Sequence, residues 1–254
     1  VWFFAPKDEA QLREWAEKTR DVAPGTQIWV QVGSVAEAES ALRCAAPDVL
    51  VVQGTDAGGH GLVRGAGVIS LVPEVCDAVD VFVGRHGEVK RPAIMAAGGI
   101  ADARGAAAAL VLGADGVVMG TRFLASREVS IARGYQEEVL RARDGGQSTV
   151  RTKVYDTLRG TVWAETHNAR GVVNRSFHDA VSGMDDAENK RLYEEELLKG
   201  DEGWGEGGRL TTYAGSAVGL IKEVKGAGDI VREVRDGAVR VLQGMKSAAR
   251  SEKL

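Results

Sequence analysis

His60 is the side chain in this sequence best placed by its neighbours to handle a proton. It lies in the run Gln53-Gly54-Thr55-Asp56-Ala57-Gly58-Gly59-His60-Gly61, directly after the apolar stretch 49–53. Imidazole titrates near neutral pH, so it can take a proton from carbon or steady a developing anion. The plainer reading of a loop histidine is one bonded to solvent or backbone. The flanking glycines and two phosphate-type turns downstream favour a chemical role over that reading. Asp56, just upstream, is either a turn former or an orienting partner for His60. His86, His167 and His178 lack such a setting. His86 reads as a surface-loop residue, and His167 as a tail residue within reach of the strand ends.

The two glycine turns carry the second pattern. One reads Ile94-Met95-Ala96-Ala97-Gly98-Gly99-Ile100-Ala101-Asp102, the other Gly116-Val117-Val118-Met119-Gly120-Thr121-Arg122-Phe123. In each, an apolar run ends in glycine and a helix-like segment follows. Glycine permits positive φ and close backbone approach. A row of amides ahead of a helix attracts phosphate. Gly98, Gly99, Gly120 and Thr121 are therefore candidate phosphate ligands, with Thr121 adding a hydroxyl donor. One such turn alone would be an ordinary helix start. Two on neighbouring strands describe the phosphate cradle after the last two strands of a (β/α)8 barrel. Gln31 and Gln53 end strands at the same mouth. A primary amide donates and accepts, which suits the edge of a flavin ring, although solvated strand ends look the same in sequence.

The elements that must hold these residues alternate. Apolar runs at 1–5, 28–32, 49–53, 93–97 and 116–119 are predicted strands, and 8–22, 35–46, 69–79 and 102–112 are the predicted helices between them. Apolar strands alternating with helices predict a parallel sheet covered on both faces. A long glycine loop at 54–67 and a polar excursion at 84–91 interrupt the pattern. After residue 126 the texture turns helical, clearest at 129–143, 186–199 and 230–245, with 149–169 mixed. The expected organisation is five βα units of a TIM barrel over 1–126 and a helical extension over the barrel mouth at 127–254. A closed barrel has about eight units. The expected fold is thus α/β, a (β/α)8 barrel lacking its first three βα units, with a C-terminal helical subdomain. The opening on Val1, inside an apolar run, reads as a chain cut within a larger fold.

Composition narrows the partners. With 32 basic and 36 acidic side chains the net charge is −4, which gives no electrostatic case for nucleic acid or an anionic membrane surface. No apolar run approaches the roughly 18 residues of a membrane span. Cys44 and Cys76 form neither a disulfide framework nor a CxxC metal pattern. They fit a reducing, cytoplasmic compartment, and no metal is expected.

Taken together, 53–61, 96–100 and 119–123 make the chain resemble nitronate monooxygenase, a family formerly called 2-nitropropane dioxygenase. The likeness covers roughly residues 1–177 and rests on the three motifs jointly. It implies an FMN-dependent barrel that oxidises alkyl nitronates with O2 to a carbonyl compound and nitrite. It implies that His60 is the active-site histidine, a base toward nitroalkanes or a contact to the nitronate. It implies that Gly98, Gly99, Gly120 and Thr121 hold the FMN phosphate, and that Gln53, Gly58 and Gly59 run along the flavin. The implied chemistry is single-electron transfer from nitronate to flavin, followed by capture of the radical by O2. Asp56 stands where many members have glutamate, and the family's first strand with its flavin-touching loop is expected to be absent. Two competing readings share the motifs: an FMN-type enoyl-acyl-carrier-protein reductase using NAD(P)H, and an inactive fragment of such a barrel. An aldolase is disfavoured, because no strand-end lysine suits a Schiff base.

Overall fold

A computed structural model describes residues 1–87 and 89–251. In chain order the first half holds β1 (Trp2–Phe3), α1 (Glu9–Val22), β2 (Trp29–Val32), α2 (Val35–Ala45), β3 (Val49–Gln53), β4 (Gly59–Leu62), α3 (Val68–Arg85), β5 (Ala93–Ala97), α4 (Ala103–Val111) and β6 (Gly116–Val118). The second half holds α5 (Thr121–Leu124), α6 (Arg133–Arg141), α7 (Gly145–Ser148), β7 (Thr149–Thr152), α8 (Val154–Arg159), β8 (His167–Val172), α9 (Arg175–Val181), α10 (Asp186–Leu197) and α11 (Ala227–Ser251). These elements divide between two compact units. The first comprises Val1–Thr55, Gly65–Gly98 and Gly105–Val118; the second comprises Asp56–Arg64, Gly99–Arg104 and Met119–Leu254.

The first unit is a parallel sheet in the order β1-β2-β3-β5-β6. All five predicted strands are present in it. β3 is central, and Val49, Leu50, Val51 and Val52 are all buried, as a strand covered on both faces requires. Val49, Val51 and Ala97 cluster with Trp29, Met95 and Val118 on one face. The other face is covered by helices, with α2 and α3 against the strands and α1 against α2. Asp8 and Ser34 start α1 and α2 by accepting the amides of Gln11 at 2.8 Å and Glu37 at 3.2 Å. α3 is longer than predicted and absorbs the start of the expected polar excursion. The result is an α/β fold with β1 and β6 at the sheet margins.

The second unit adds a sheet to the helical extension that the sequence reading expected, with 149–169 read as mixed. It contains an antiparallel sheet in the order β4-β8-β7. β4 lies inside the stretch read as a long glycine loop. Its sequence, Gly59-His60-Gly61-Leu62, has almost no intrinsic strand preference. It is a strand because β8 supplies the ladder, from Gly59↔Arg170 to Leu62↔His167. Around this sheet the helices bury two clusters. One includes Ala125, Val139, Val172, Val218 and Ile221, the other Tyr155, Leu158, Tyr193 and Leu210. The compact units also divide differently from the expected boundary at 126, because Asp56–Arg64 and Gly99–Arg104 belong with the C-terminal part. Among the described residues, no helix is long and apolar enough to cross a membrane, and no cluster of His, Cys, Asp or Glu is arranged to hold a metal ion.

Candidate functional site

His60 sits in β4, held in register opposite Ala169 of β8. Its Nε2 lies 2.7 Å from Oδ1 of Asp156, and the two side chains are only 14% and 8% exposed. An ionised carboxylate only accepts, so the ring donates Nε2–H to it. Asp156 belongs to the short helix α8, whose amide bonds back to the Lys153 carbonyl at 3.0 Å. Thr161 Oγ1 donates to the same Oδ1 at 3.1 Å, and the Thr161 amide caps the Asp156 carbonyl at 3.0 Å. Oδ2 is buried and has no hydrogen-bond partner. Aromatic rings complete the surroundings. The Trp163 indole stacks on the imidazole at 3.9 Å and 13°, and Tyr213 tilts against it at 5.5 Å. Burial, with the nearby Asp156 charge, pushes the Tyr213 phenol up to about 12, so it is a neutral group at working pH.

His167 lies on the same face of the small sheet, opposite Leu62 and two residues along from the partner of His60. Burial holds its pKa below the ordinary histidine value, helped by the charges of His60 and Arg151. The opposite face carries Arg151 and Arg170, paired across β7 and β8. Burial, then the repulsion of Arg170, brings Arg151 down to about 10. Arg151 Nη2 donates to the Asn168 carbonyl at 2.8 Å, and Arg170 Nη1 to Thr149 Oγ1 at 3.1 Å.

The glycine turns are braced by a segment that the sequence reading did not single out, Ala214-Gly215-Ser216. Ser216 donates its hydroxyl to Asp56 Oδ1 at 2.7 Å and its amide to the Asp56 carbonyl at 2.9 Å. The Gly215 amide donates to Thr121 Oγ1 at 2.9 Å. Gly58 lies so close to this segment that a Cβ there would fall 2.6 Å from the Ala214 carbonyl carbon. Gly99 has φ +74°, and a Cβ on it would meet Asp56 Cβ at 3.0 Å. Asp56 is therefore the brace of the turn, and the carboxylate on His60 is Asp156 instead. Thr121 Oγ1 accepts from Gly215 and retains its own proton to donate. Gly120 has a negative φ of −96°, so conformational freedom does not explain glycine there. A Cβ on Gly120 would meet nothing within 4 Å, which leaves open space in front of the turn.

The remaining candidates stand at strand ends. Gln53 closes β3 opposite Ala97, and Gly98 follows β5 with φ +100°. Gly59 opens β4 with φ +72°. Gln31 in β2 accepts from the Trp2 indole at 3.2 Å. Asp156, Trp163, Tyr213 and the 214–216 segment escaped the sequence reading. Their motifs are short, ordinary and far from His60 in the chain.

With this geometry in hand, similarity to known proteins is informative. The nitronate monooxygenase family profile matches residues 10–196. Nitronate monooxygenase npaC of Metarhizium robertsii is 51% identical over 246 residues, covering 95% of this chain and 67% of that protein. Nitronate monooxygenase of Neurospora crassa is 39% identical, covering 98% of this chain and 66% of that protein. The chain thus spans about two thirds of the length of these curated relatives. Among solved structures, FabK of Thermotoga maritima superposes with a TM-score of 0.73 at 26% identity, covering 98% of this chain and 70% of FabK. Nitroalkane oxidase of Streptomyces ansochromogenes gives 0.68 at 26% identity, covering 92% of this chain and 62% of the oxidase. The chain belongs to the nitronate monooxygenase family.

Proposed function

We propose that the protein oxidises alkyl nitronates with O2 to carbonyl compounds and nitrite, using FMN, with His60 and Asp156 as its proton-handling pair. The observation that carries the reading is the 2.7 Å bond between His60 Nε2 and a buried Asp156 in a chain of this family. The names of the Metarhizium and Neurospora relatives and of the Streptomyces oxidase agree with it.

The residues present fit a flavin phosphate. Gly120 has open space where a Cβ would stand, without any demand from packing or φ, and Thr121 retains a donor proton. Gly98 and Gly99 form the other turn by their positive φ. By the family resemblance Gln53, Gly58 and Gly59 run along the ring. Bound flavin would supply the electron acceptor and the route to O2.

The chain's own contribution is the handling of charge and protons. Asp156 accepts Nε2–H and so fixes the orientation of the imidazole. Toward a neutral nitroalkane, the His60 ring takes the proton on the carbon bearing the nitro group, and the nitronate remains. Toward a preformed nitronate, no proton need be removed, and a protonated ring steadies the anionic oxygens. Trp163 and Tyr213 give the imidazole an apolar surround that limits access of water.

The test is nitrite release and O2 uptake with a nitronate, using protein saturated with FMN. His60→Asn should keep the bound flavin and slow its anaerobic reduction by a nitroalkane by about 10²-fold or more. Wild-type rates in that variant would overturn the assignment. Rapid bleaching of the flavin by NADH, without nitrite release from nitronates, would instead support the enoyl-acyl-carrier-protein reductase reading.

A further inference from the structure

We propose that the second unit carries an oxyanion site, lined by none of the glycine-turn residues Gly98, Gly99, Gly120 or Thr121, that takes the phosphate group of a small metabolite. A cavity of about 350 Å³ opens between the first turn of α4 and the N-terminal half of α11. Its floor is apolar, including Ala101, Ile230 and Val234. Close approach of the two helices depends on Gly237, where a Cβ would lie 2.5 Å from Ala103 Cβ.

Arg122 enters this cavity from α5 and is only 8% exposed. Its protein partners are two backbone carbonyls, Ala125 at 3.4 Å and Glu223 at 3.3 Å, both long and both reached through Nη1. Among the described residues no carboxylate forms an ion pair with it. Buried charges are normally paired or fully hydrogen-bonded, because desolvation without compensation is costly. A guanidinium presents five donors, and among the described residues Nε and Nη2 have no acceptor.

The rest of the lining points the same way. Five basic and three acidic side chains face the cavity, an excess of two positive charges. The acids are already engaged. Asp102 pairs with Arg104 at 2.5 Å, and Lys225 takes Glu223 at 3.0 Å and Glu233 at 2.6 Å. The excess therefore rests on buried Arg122 and on Lys222 and Arg240, both exposed and, among the described residues, outside any ion pair. Lys222 reaches only the Gly219 carbonyl.

This arrangement selects the ligand's chemistry. A guanidinium fork matches two oxygens of one phosphate, and flanking point charges complete the neutralisation. The volume lies at the small end of ligand cavities, roughly 300–1,000 Å³, so it suits a short phosphorylated compound rather than a dinucleotide. The apolar floor receives the carbon skeleton. The site does not depend on the flavin reading.

The probe is inorganic phosphate, titrated calorimetrically and by phosphorus NMR into the full-length, flavin-saturated protein. One saturable site is expected, with a Kd on the order of 1 mM that weakens as sodium chloride is raised. Arg122→Gln should weaken it at least tenfold. Because Arg122 is buried, Lys222→Ala with Arg240→Ala supplies a second variant confined to exposed side chains, and it should also weaken binding at least tenfold. Gly99→Val, which disables the glycine cradle and is titrated without flavin, should leave phosphate binding intact. Unchanged binding in the double variant, no saturable binding to wild type, or loss of binding in Gly99→Val would each overturn the proposal.

Discussion

His60 and Asp156 are 96 positions apart, and neither is a reactive group by itself. Their juxtaposition makes the imidazole directional. The carboxylate holds one nitrogen through its proton and so sets the direction of the ring. Asp156→Asn keeps the shape and removes the charge. An amide can also accept from Nε2–H, but it stabilises a protonated ring far less. The expected outcome is about a 10²-fold fall in anaerobic flavin reduction by a neutral nitroalkane and a much smaller fall with the corresponding nitronate, which needs no proton removed. Stopped-flow reduction with both substrates checks this. Equal losses for the two substrates would mean that Asp156 serves only the local fold. Thr161, on the same carboxylate oxygen, is a milder case. Thr161→Val should reduce the nitroalkane rate by less than Asp156→Asn does, since it removes one hydrogen bond to the carboxylate and leaves the carboxylate charge beside the ring.

The elements act by bringing short segments to one place. β4 and the 214–216 turn meet at Gly58, where a Cβ would lie 2.6 Å from backbone atoms that cannot swing aside. Gly58→Ala should therefore destabilise the protein by roughly 1–3 kcal/mol through overpacking, read as a lower midpoint in urea unfolding. Gly59 is the control. A Cβ there meets nothing within 4 Å, but φ is +72°, so Gly59→Ala should show only a backbone penalty of about 1–2 kcal/mol. Greater harm from Gly59→Ala than from Gly58→Ala would contradict this packing. The contrast also shows what was legible in the sequence. The five parallel strands were readable because a strand buried on both faces must be continuously apolar, and runs such as Val49–Gln53 are. His60 stood out because glycine on both sides is unusual around a titratable group. β4, β7 and β8 were not readable. β4 pairs with β8 across more than a hundred positions, from Gly59↔Arg170 to Leu62↔His167, and Gly-His-Gly-Leu carries no local strand preference. Asp156 was hidden for the same reason, since its partner is fixed by the ladder and not by spacing.

At the scale of the whole molecule, burial of titratable groups fixes the pH range of stability. His167 is held below its ordinary value of 6.5, chiefly by burial and then by the charges of His60 and Arg151. Its folded pKa lies below its unfolded one, so the unfolded chain binds the extra proton. Its contribution to stability is complete above about 6.5 and is lost as pH falls toward the folded pKa. Tyrosines set the other limit. Burial pushes Tyr213 up to about 12, and Tyr135 and Tyr155 are raised further by burial. Their phenols stay neutral in the fold and ionise near 10 once unfolded, so stability is complete below 10 and lost as pH rises above it. Cys76, raised from 9.0 by burial, adds to the same limb. The expected profile is a plateau of melting temperature between the two limits with a fall on each side. The acid fall should be accompanied by precipitation, because the net charge vanishes near pH 5.7 and unfolded chains then meet without repulsion. Calorimetric melting across this range checks the profile, and two variants assign its limbs. His167→Gln should flatten the acid limb without moving the alkaline one, and Tyr213→Phe should make the alkaline limb shallower, with Tyr135, Tyr155 and Cys76 still contributing, without moving the acid one. A wild-type acid limb in His167→Gln would place the buried proton site on another group.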